Sequence, residues 1–419
     1  MSRKLETEVL VVGSGPAGLV TALLLAEAGV RVTIIDREQR PATHSYACGL
    51  HPRSLKLLAR VGLLNVVLSY GRRMDKVAFY SPEQGRQAEV SLAALPVEFP
   101  FVVVCPQDTL EVLLATRLAE LGCPVLWHHR FASLQPGPNG VLAEVDQLVG
   151  TATGSAVPRW HWVVGRTIEV AAAFVVGADG HDSMVRQTSG IENERLAASE
   201  YYVVYEFEPE IELADELRVV LTENTKSVLW PLPNRRCRWS FQLAESDETE
   251  FSEKDRSPFW GEAPAMAQRT RQRLQQRLAA HAPWFGTGIR ELDWAADIQF
   301  QHRLARRYGR GRCWLVGDAA HQTAPAGIQS MNVGLLEAED LASRLTQLIG
   351  GEASEDLLAN YEQAHREEWR GLLGAKGALK PSADTKLWVR NHCRQILSSL
   401  PASGNELALL LTQLGLSLP

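Results

Sequence analysis

Apolar and polar positions fall in blocks along this chain. A short apolar run from Glu8 to Val12 gives way to Gly13-Ser14-Gly15-Pro16-Ala17-Gly18. An apolar-periodic stretch then reaches Ala28, and a second apolar run, Val30 to Ile35, stops at Asp36. Short unbroken apolar runs read as buried strands and helical spacing reads as helix, so the chain is predicted to open strand, glycine turn, helix, strand. Pro52–Val61 and Leu110–Leu121 carry the helical period, Val125 begins another strand, and two further apolar strands run into Gly177 and Gly317. Met74 to Pro96 reads as a short extended excursion. After Arg186 the texture changes to β-rich runs, Tyr201–Phe207, Leu217–Leu221, Ser227–Pro231 and Cys237–Leu243, with Pro233-Asn234 as a turn. Pro258 to Ala282 reads as a charged helix, and the pattern from Glu337 onward is helical. These elements predict an α/β fold. A discontinuous Rossmann-like domain takes residues 1–75, 100–190 and 296–370, an inserted antiparallel β-sheet domain takes 76–99 and 191–295, and helices occupy 371–419.

Composition narrows the class. A length of 419 residues suggests two or three domains, and 45% hydrophobic content supports a full-sized core. A net charge of −6 leaves no footprint for nucleic acid. The six cysteines, Cys48, Cys105, Cys123, Cys237, Cys313 and Cys393, are widely spaced with no Cys-x-x-Cys. That favours structural burial in a reducing compartment over metal or redox chemistry, and no metal is expected. The first residues enter a strand without an apolar leader and no run approaches a membrane span, so a cytoplasmic protein without stable membrane insertion is expected. Lys386–Leu416 alternates basic and apolar residues at helical spacing. It is expected to pack on the domain's flank; Trp388, Val389 and the run Leu407–Leu411 would carry a membrane-surface or dimer role instead. Nothing in the sequence sets the oligomeric state.

The opening block has a specific physical use. Gly13 permits the tight turn, Gly15 lets backbone approach a pyrophosphate, and Gly18 lets the helix sit close on the strand. Pro16 and Ala17 begin a helix whose free N–H groups would face the phosphates. Asp36, at the end of the second strand, is placed to accept hydrogen bonds from a ribose 2′-hydroxyl. A tight turn without a ligand is the alternative, disfavoured because strand, helix and acid are all in place.

Two later blocks add to this. Phe174–Arg186 is an apolar strand running into Gly177-Ala178-Asp179-Gly180. From Leu315 a strand ends at Gly317, followed by the carboxylate of Asp318, a Pro/Gly-rich loop and a helix. A ribityl chain, a pyrophosphate and an isoalloxazine ring that becomes anionic on reduction would use these parts together, which implies flavin. In order and spacing the three blocks resemble the FAD-dependent monooxygenases of the aromatic-hydroxylase (para-hydroxybenzoate hydroxylase-like) type over nearly the whole chain. Gly177–Arg186 matches the family's Asp-Gly block and Gly317–Pro325 its Gly-Asp block. Pro100–Gly122, with Gln107 before an amphipathic helix, resembles it too.

The resemblance implies an FAD-binding domain with the inserted sheet as substrate domain. Asp318 would hydrogen-bond the ribityl chain, Asp179 and Gly180 would hold the pyrophosphate region and the nicotinamide route, and Gln107 would contact the flavin side. Gly317, Gly327, Met331 and Asn332 complete the cofactor set. Pro325 would line the oxygen-reactive face. Two departures stand out. Tyr46 occupies the position of the family's usual Arg, leaving Arg53 or Arg37 to substitute. Gly327-Ile328-Gln329-Ser330-Met331-Asn332 replaces Gly-Gly-Gln-Gly-Met-Asn, placing side chains where backbone is usually bare.

One glycine-rich dinucleotide fold, with no second, implies that the nicotinamide visits. The resemblance then implies NADH or NADPH as transient co-substrate, a flavin C4a-hydroperoxide formed with dioxygen, and hydroxylation of an aromatic or polycyclic small molecule. Pro325, His321 and Gly327 lie closest to that chemistry, although His321 reads more readily as fixing its loop by hydrogen bonding. His44, His51, His321, Tyr201, Tyr202 and Tyr205 are candidates for a base that activates a phenol, and none is singled out. Tyr205, Trp230, Arg238, Trp239 and Phe241 are expected on the substrate side, with plain sheet packing as the alternative. Among rivals, a flavin-dependent halogenase would carry Trp-x-Trp-x-Ile-Pro, which Leu229-Trp230-Pro231-Leu232-Pro233 does not match. A prenyl-chain reductase would not couple oxygen to product, and a ubiquinone-pathway hydroxylase would prefer a lipid-tailed ring. A non-catalytic relative of the prenyl-GTPase escort proteins could dispense with Asp318 and Pro325, and both are present.

Overall fold

The computed structural model describes residues 4–41, 47–137, 139–153, 159–244, 264–327, 329–354, 356–373 and 378–418. His44, Tyr46, Ile328 and residues 258–263 of the expected charged helix lie outside them.

Lys4–Val12 lies parallel between Val32–Ile35 and the long strand Arg159–Gly177, which pairs in parallel with Cys313–Leu315 on its other side. Leu10, Val11, Val175, Val176 and Leu315 are wholly buried, the reason these strands read as continuous apolar runs. Register sets Val12 opposite Gly177 and Gly177 opposite Leu315. The three blocks therefore leave the sheet side by side from its C-terminal edge. Pro16–Glu27 is buried along most of its length and packs against Gln107–Glu120 and Gln329–Ile349. Being enclosed, it is apolar all round rather than striped. Antiparallel strands His129–Pro136 and Val141–Thr153 extend the sheet through residues 159–172 of Arg159–Gly177.

A second seven-stranded sheet runs in the order 289–300, 200–209, 237–242, 226–231, 216–221, 76–81, 85–91. It is antiparallel except where Glu216–Leu221 meets Lys76–Ser81 in parallel. One face covers a core shared with the helix Pro264–His281; the other faces the nucleotide domain. Alternation decides which side chain goes where. Tyr205, Trp239 and Phe241 belong to the first face, with Leu274, Leu278 and Phe285. That corrects their expected position on the flavin side. The residues turned toward the glycine blocks are one step out of phase: Tyr202, Val204 and Trp294, packed with Ala324. Arg238 shares this inward parity and pairs with Glu206 through Nε at 2.6 Å. Trp230 is buried in the main core.

The C-terminal part is built of short helices, Leu387–Asn391, Cys393–Ser399 and Gly404–Gln413, with the strand pair Lys380–Pro381 and Leu416–Ser417. Gln329 Nε2 donates to the carbonyls of Leu400 and Ala402 at 2.7 and 3.0 Å, and Gln395 Nε2 donates to Thr222 at 3.1 Å. Val389, Leu407, Leu410 and Leu411 are buried within the chain, whereas Leu387 and Leu409 stay exposed. Among the described residues no helix is long and apolar enough to cross a membrane.

Candidate functional site

Gly13 turns the chain at φ 102°, its N–H donating to Ile35 at 2.9 Å, while Ala178 N–H donates to Val12 at 2.8 Å. Gly15 is the N-cap of the following helix, has no capping side chain, and precedes Pro16. The first-turn N–H groups therefore have no side chain to accept them, as an anion site requires. A Cβ built on Gly15 would meet no protein atom within 4 Å, so open space lies against this backbone. Asp36 accepts at Oδ2 from Ser14 N (2.6 Å) and Ser14 Oγ (2.8 Å), and at Oδ1 from Glu38 N (2.9 Å). The carboxylate is thus fixed beside a cavity of about 500 Å³.

Two more cavities share Gly15 with the first. One of about 260 Å³ is bordered by Arg37, Arg130, Phe131, Asp179 and Gly180. The other, about 470 Å³, is bordered by Pro16, Ala17, Gln107, Gly180, Gly317, Asp318, Pro325, Met331 and Phe300. An extended trough runs from Asp36 past the 16–27 helix to Asp318, and its chemistry suits an adenosine ribose, a pyrophosphate and a ribityl-linked ring in that order. The residues present fit FAD.

At the far end Gly317 adopts φ 61° and its N–H donates to Glu337 Oε2 at 3.0 Å. The same oxygen is 2.7 Å from His321 Nε2, and Glu337 Oε1 accepts from Trp369 Nε1 at 3.1 Å. Burial alone would push the Glu337 carboxyl up; the adjoining His321, with His365 and the Gly317 N–H, outweighs it and holds the group below the usual carboxylate range. His321 is buried and stacked on Trp369, so it holds the loop from behind instead of facing the cavity. Asp318 is exposed to the cavity, where its Oδ1 accepts from Ser330 Oγ at 2.6 Å. Asp318→Ala is expected to weaken FAD retention by a charge-assisted hydrogen bond of about 1.5–3 kcal/mol, read as flavin released during gel filtration. Unchanged affinity would remove Asp318 from the site.

Asp179 has a more structural task than its place in the motif implied. Its carboxylate accepts from Ser183 Oγ (2.5 Å), Met184 N (2.7 Å) and Val185 N (3.1 Å), fixing the start of the short helix Met184–Thr188. Arg186 then joins the blocks, donating to the carbonyls of Ala319 and His181, both at 2.9 Å.

Other expected ligands serve as ties. Asn332 accepts from His51 N and donates to Gly49, both at 2.8 Å, and Gly327 O meets His51 Nε2 at 2.9 Å. Burial lowers His51 to about 3, which keeps it neutral, and it does not border the cavity that Asp318 and Pro325 line. Arg53 turns away from the trough, to Ser403 at 3.2 Å and Glu368 at 3.4 Å. Gln107 and Arg37 border the trough. Sequence reasoning missed Arg40, Arg130, Phe131, Phe300 and Thr323, which reach it from loops and strand ends with no motif around them. Among the described residues no cluster of His, Cys, Asp or Glu is arranged to hold a metal ion.

Three parallel strand ends, a helix start without a capping side chain and an acid at each end of one trough define a dinucleotide-binding α/β protein. The chain belongs to the family described as FAD binding domain, which matches residues 6–372. It is 30% identical over 364 residues to 6-methylpretetramide 4-monooxygenase of Streptomyces rimosus, covering 84% of this chain and 58% of that protein. Pentachlorophenol 4-monooxygenase of Sphingobium chlorophenolicum is 27% identical over 365 residues, covering 85% of this chain and 61% of that protein. The chain thus spans about three fifths of either relative's length. The crystal structure of p-nitrophenol 4-monooxygenase from Pseudomonas putida DLL-E4 superposes with a TM-score of 0.73 at 22% identity, covering 97% of this chain and 93% of that one, a likeness of fold.

Proposed function

We propose that this protein is a cytoplasmic FAD-dependent, NAD(P)H-consuming monooxygenase that hydroxylates an aromatic or polycyclic small molecule. One observation carries the reading: Asp318 and Pro325 border the same cavity as the apolar Phe300 and Ala324. A flavin end and a ring-sized apolar surface thereby face each other. When bound, FAD supplies electron acceptance from a nicotinamide and activation of dioxygen. The chain's own residues position and insulate. Asp318 and Ser330 offer hydrogen bonds to hydroxyls, and the start of the 329–349 helix favours negative charge beside it. Pro325, Ala324 and Phe300 keep water from the reacting side. The names of the relatives, both monooxygenases of aromatic compounds, support the reading, and the unpaired cysteines fit a reducing compartment.

The test is direct. The purified protein is expected to show the absorption of oxidised flavin and to oxidise NADH or NADPH faster with a suitable phenol or polyketide-like aromatic, with oxygen consumed in step with hydroxylated product. A colourless protein would overturn the reading. Flavin reduction without oxygen-coupled product would favour the prenyl-reductase alternative.

A further inference from the structure

The loop that carries Pro325 brings another side chain to the cavity, Thr323. Behind it lies a row of polar groups drawn from separate elements. Thr323 Oγ1 is 3.2 Å from His302 Nδ1, and His302 Nε2 is 2.8 Å from Glu200 Oε1. Lys226 Nζ donates to Glu200 Oε1 at 3.3 Å, Tyr202 OH donates to Glu200 Oε2 at 2.9 Å, and Lys226 also reaches Ser398 Oγ at 3.2 Å. His302 and Lys226 are 7% and 6% exposed. None of these groups borders the trough that fits FAD except through Thr323. A buried imidazole, carboxylate and ammonium cost several kcal/mol to desolvate, so a purely structural tie is an expensive use of them.

Hydrogen-bond roles follow from the donors. Lys226 can only donate to Glu200, which therefore accepts as a carboxylate and takes the Tyr202 hydrogen as well. Burial would raise that carboxyl, but the His302 hydrogen bond and the Lys226 charge outweigh it and bring it to about 2. In the neutral imidazole, with Nε2–H given to the Glu200 carboxylate, Nδ1 is the accepting nitrogen. Thr323 consequently donates its hydrogen to Nδ1, leaving the lone pairs of its oxygen for the cavity.

We propose that Thr323 and His302 form the proton exit for a phenolic substrate, with Glu200 fixing His302 in the accepting tautomer. This rests on the hydroxylase reading above. The substrate O–H bond breaks as Thr323 Oγ takes that proton, and Thr323's own proton passes to His302 Nδ1. The outcome is a phenolate in the cavity and an imidazolium paired with the Glu200 carboxylate; one proton has moved and no electrons. Thr323 touches substrate, while His302 and Glu200 act through it. An ionised phenol is the electron-rich ring that an electrophilic oxygen donor needs.

The probe is p-nitrophenol, whose phenolate is coloured, followed by difference absorption on the flavin-loaded protein, with p-nitroanisole as the ligand that cannot ionise. Wild type is expected to hold bound p-nitrophenol as phenolate at a pH where the free compound is mostly neutral. Thr323→Val should lower the bound phenolate-to-phenol ratio at least tenfold while flavin retention and p-nitroanisole affinity stay as in wild type; Thr323→Ser should restore the ratio. His302→Gln should match Thr323→Val. An equal ratio in wild type and Thr323→Val, or no enrichment of phenolate in wild type, overturns the proposal. Failure of the hydroxylase reading looks different: no oxygen-coupled product with any aromatic, whatever the ionisation of the bound probe.

Discussion

Protein carrying Gly18→Ala is expected to be recovered without flavin and to unfold more easily than wild type. A Cβ built on Gly18 lies 2.0 Å from the carbonyl oxygen of Gly13 and 3.0 Å from Ala178 Cβ. The first neighbour is backbone, so no rotamer change can relieve the contact. The 16–27 helix would have to lift from strand Lys4–Val12 and take the turn with it. Overpacking of this kind costs about 1–3 kcal/mol where side chains can yield, and a backbone clash belongs at the top of that range. A cost of about 3 kcal/mol corresponds to roughly 100-fold in FAD affinity if it falls on the bound state. Gly15→Ala separates the two effects. No protein atom lies within 4 Å of its Cβ, so the apo protein should keep its urea midpoint while FAD binding weakens, because the methyl stands in the trough. Equal flavin content in wild type and Gly18→Ala would show that the close approach is not required.

The three blocks were legible because each is a backbone solution with few substitutes. Gly13 needs positive φ, Gly18 needs no side chain, and Asp36 needs to follow its strand at once. Such demands act between neighbours in sequence and leave a local signature. The long-range consequence, Val12 beside Gly177 beside Leu315, followed once the strands were taken as adjacent and parallel. The sheet that faces the cavity was legible only as a sheet. Its strands are apolar on both faces, so alternation did not mark which parity looks inward, and a shift of one residue exchanged Tyr205, Trp239 and Phe241 for Tyr202, Val204 and Trp294. His302 and Glu200 are 102 positions apart, and Thr323 lies 21 further on. Register brings them together, and no spacing announces it. Asn332 and Arg53 illustrate the opposite error. Each lies near a block in sequence, yet their side chains turn to Gly49 and Ser403, because chain proximity to a motif does not fix which way a side chain points.

Glu337 carries the second large effect. One carboxylate accepts from Gly317 N, His321 Nε2 and Trp369 Nε1 in a region closed to water. Glutamine at this position keeps the volume but has a single acceptor oxygen, so at least one buried donor loses its partner and the charge opposite His321 is gone. Removing one member of a buried pair costs about 3–5 kcal/mol, and Glu337→Gln should lower unfolding stability by that order. The loss should also reach the cofactor. Gly317 holds φ 61° with its N–H bonded to Glu337, and Asp318 is the next residue, so a loosened turn misplaces the carboxylate that borders the cavity. The pH dependence has a definite sign. The folded-state carboxyl is held below its ordinary 4.5, so its contribution is fully present above that value and is lost as pH falls through the depressed one. Urea unfolding of wild type and Glu337→Gln should therefore differ most between pH 4.5 and 6.5, converge below that window, and draw closer above it as His365, which Glu337 helps to raise, gives up its proton. A gap that stays constant through the acid range would mean that Glu337 acts by shape alone, and full flavin retention in the variant would detach the Gly317 turn from cofactor binding.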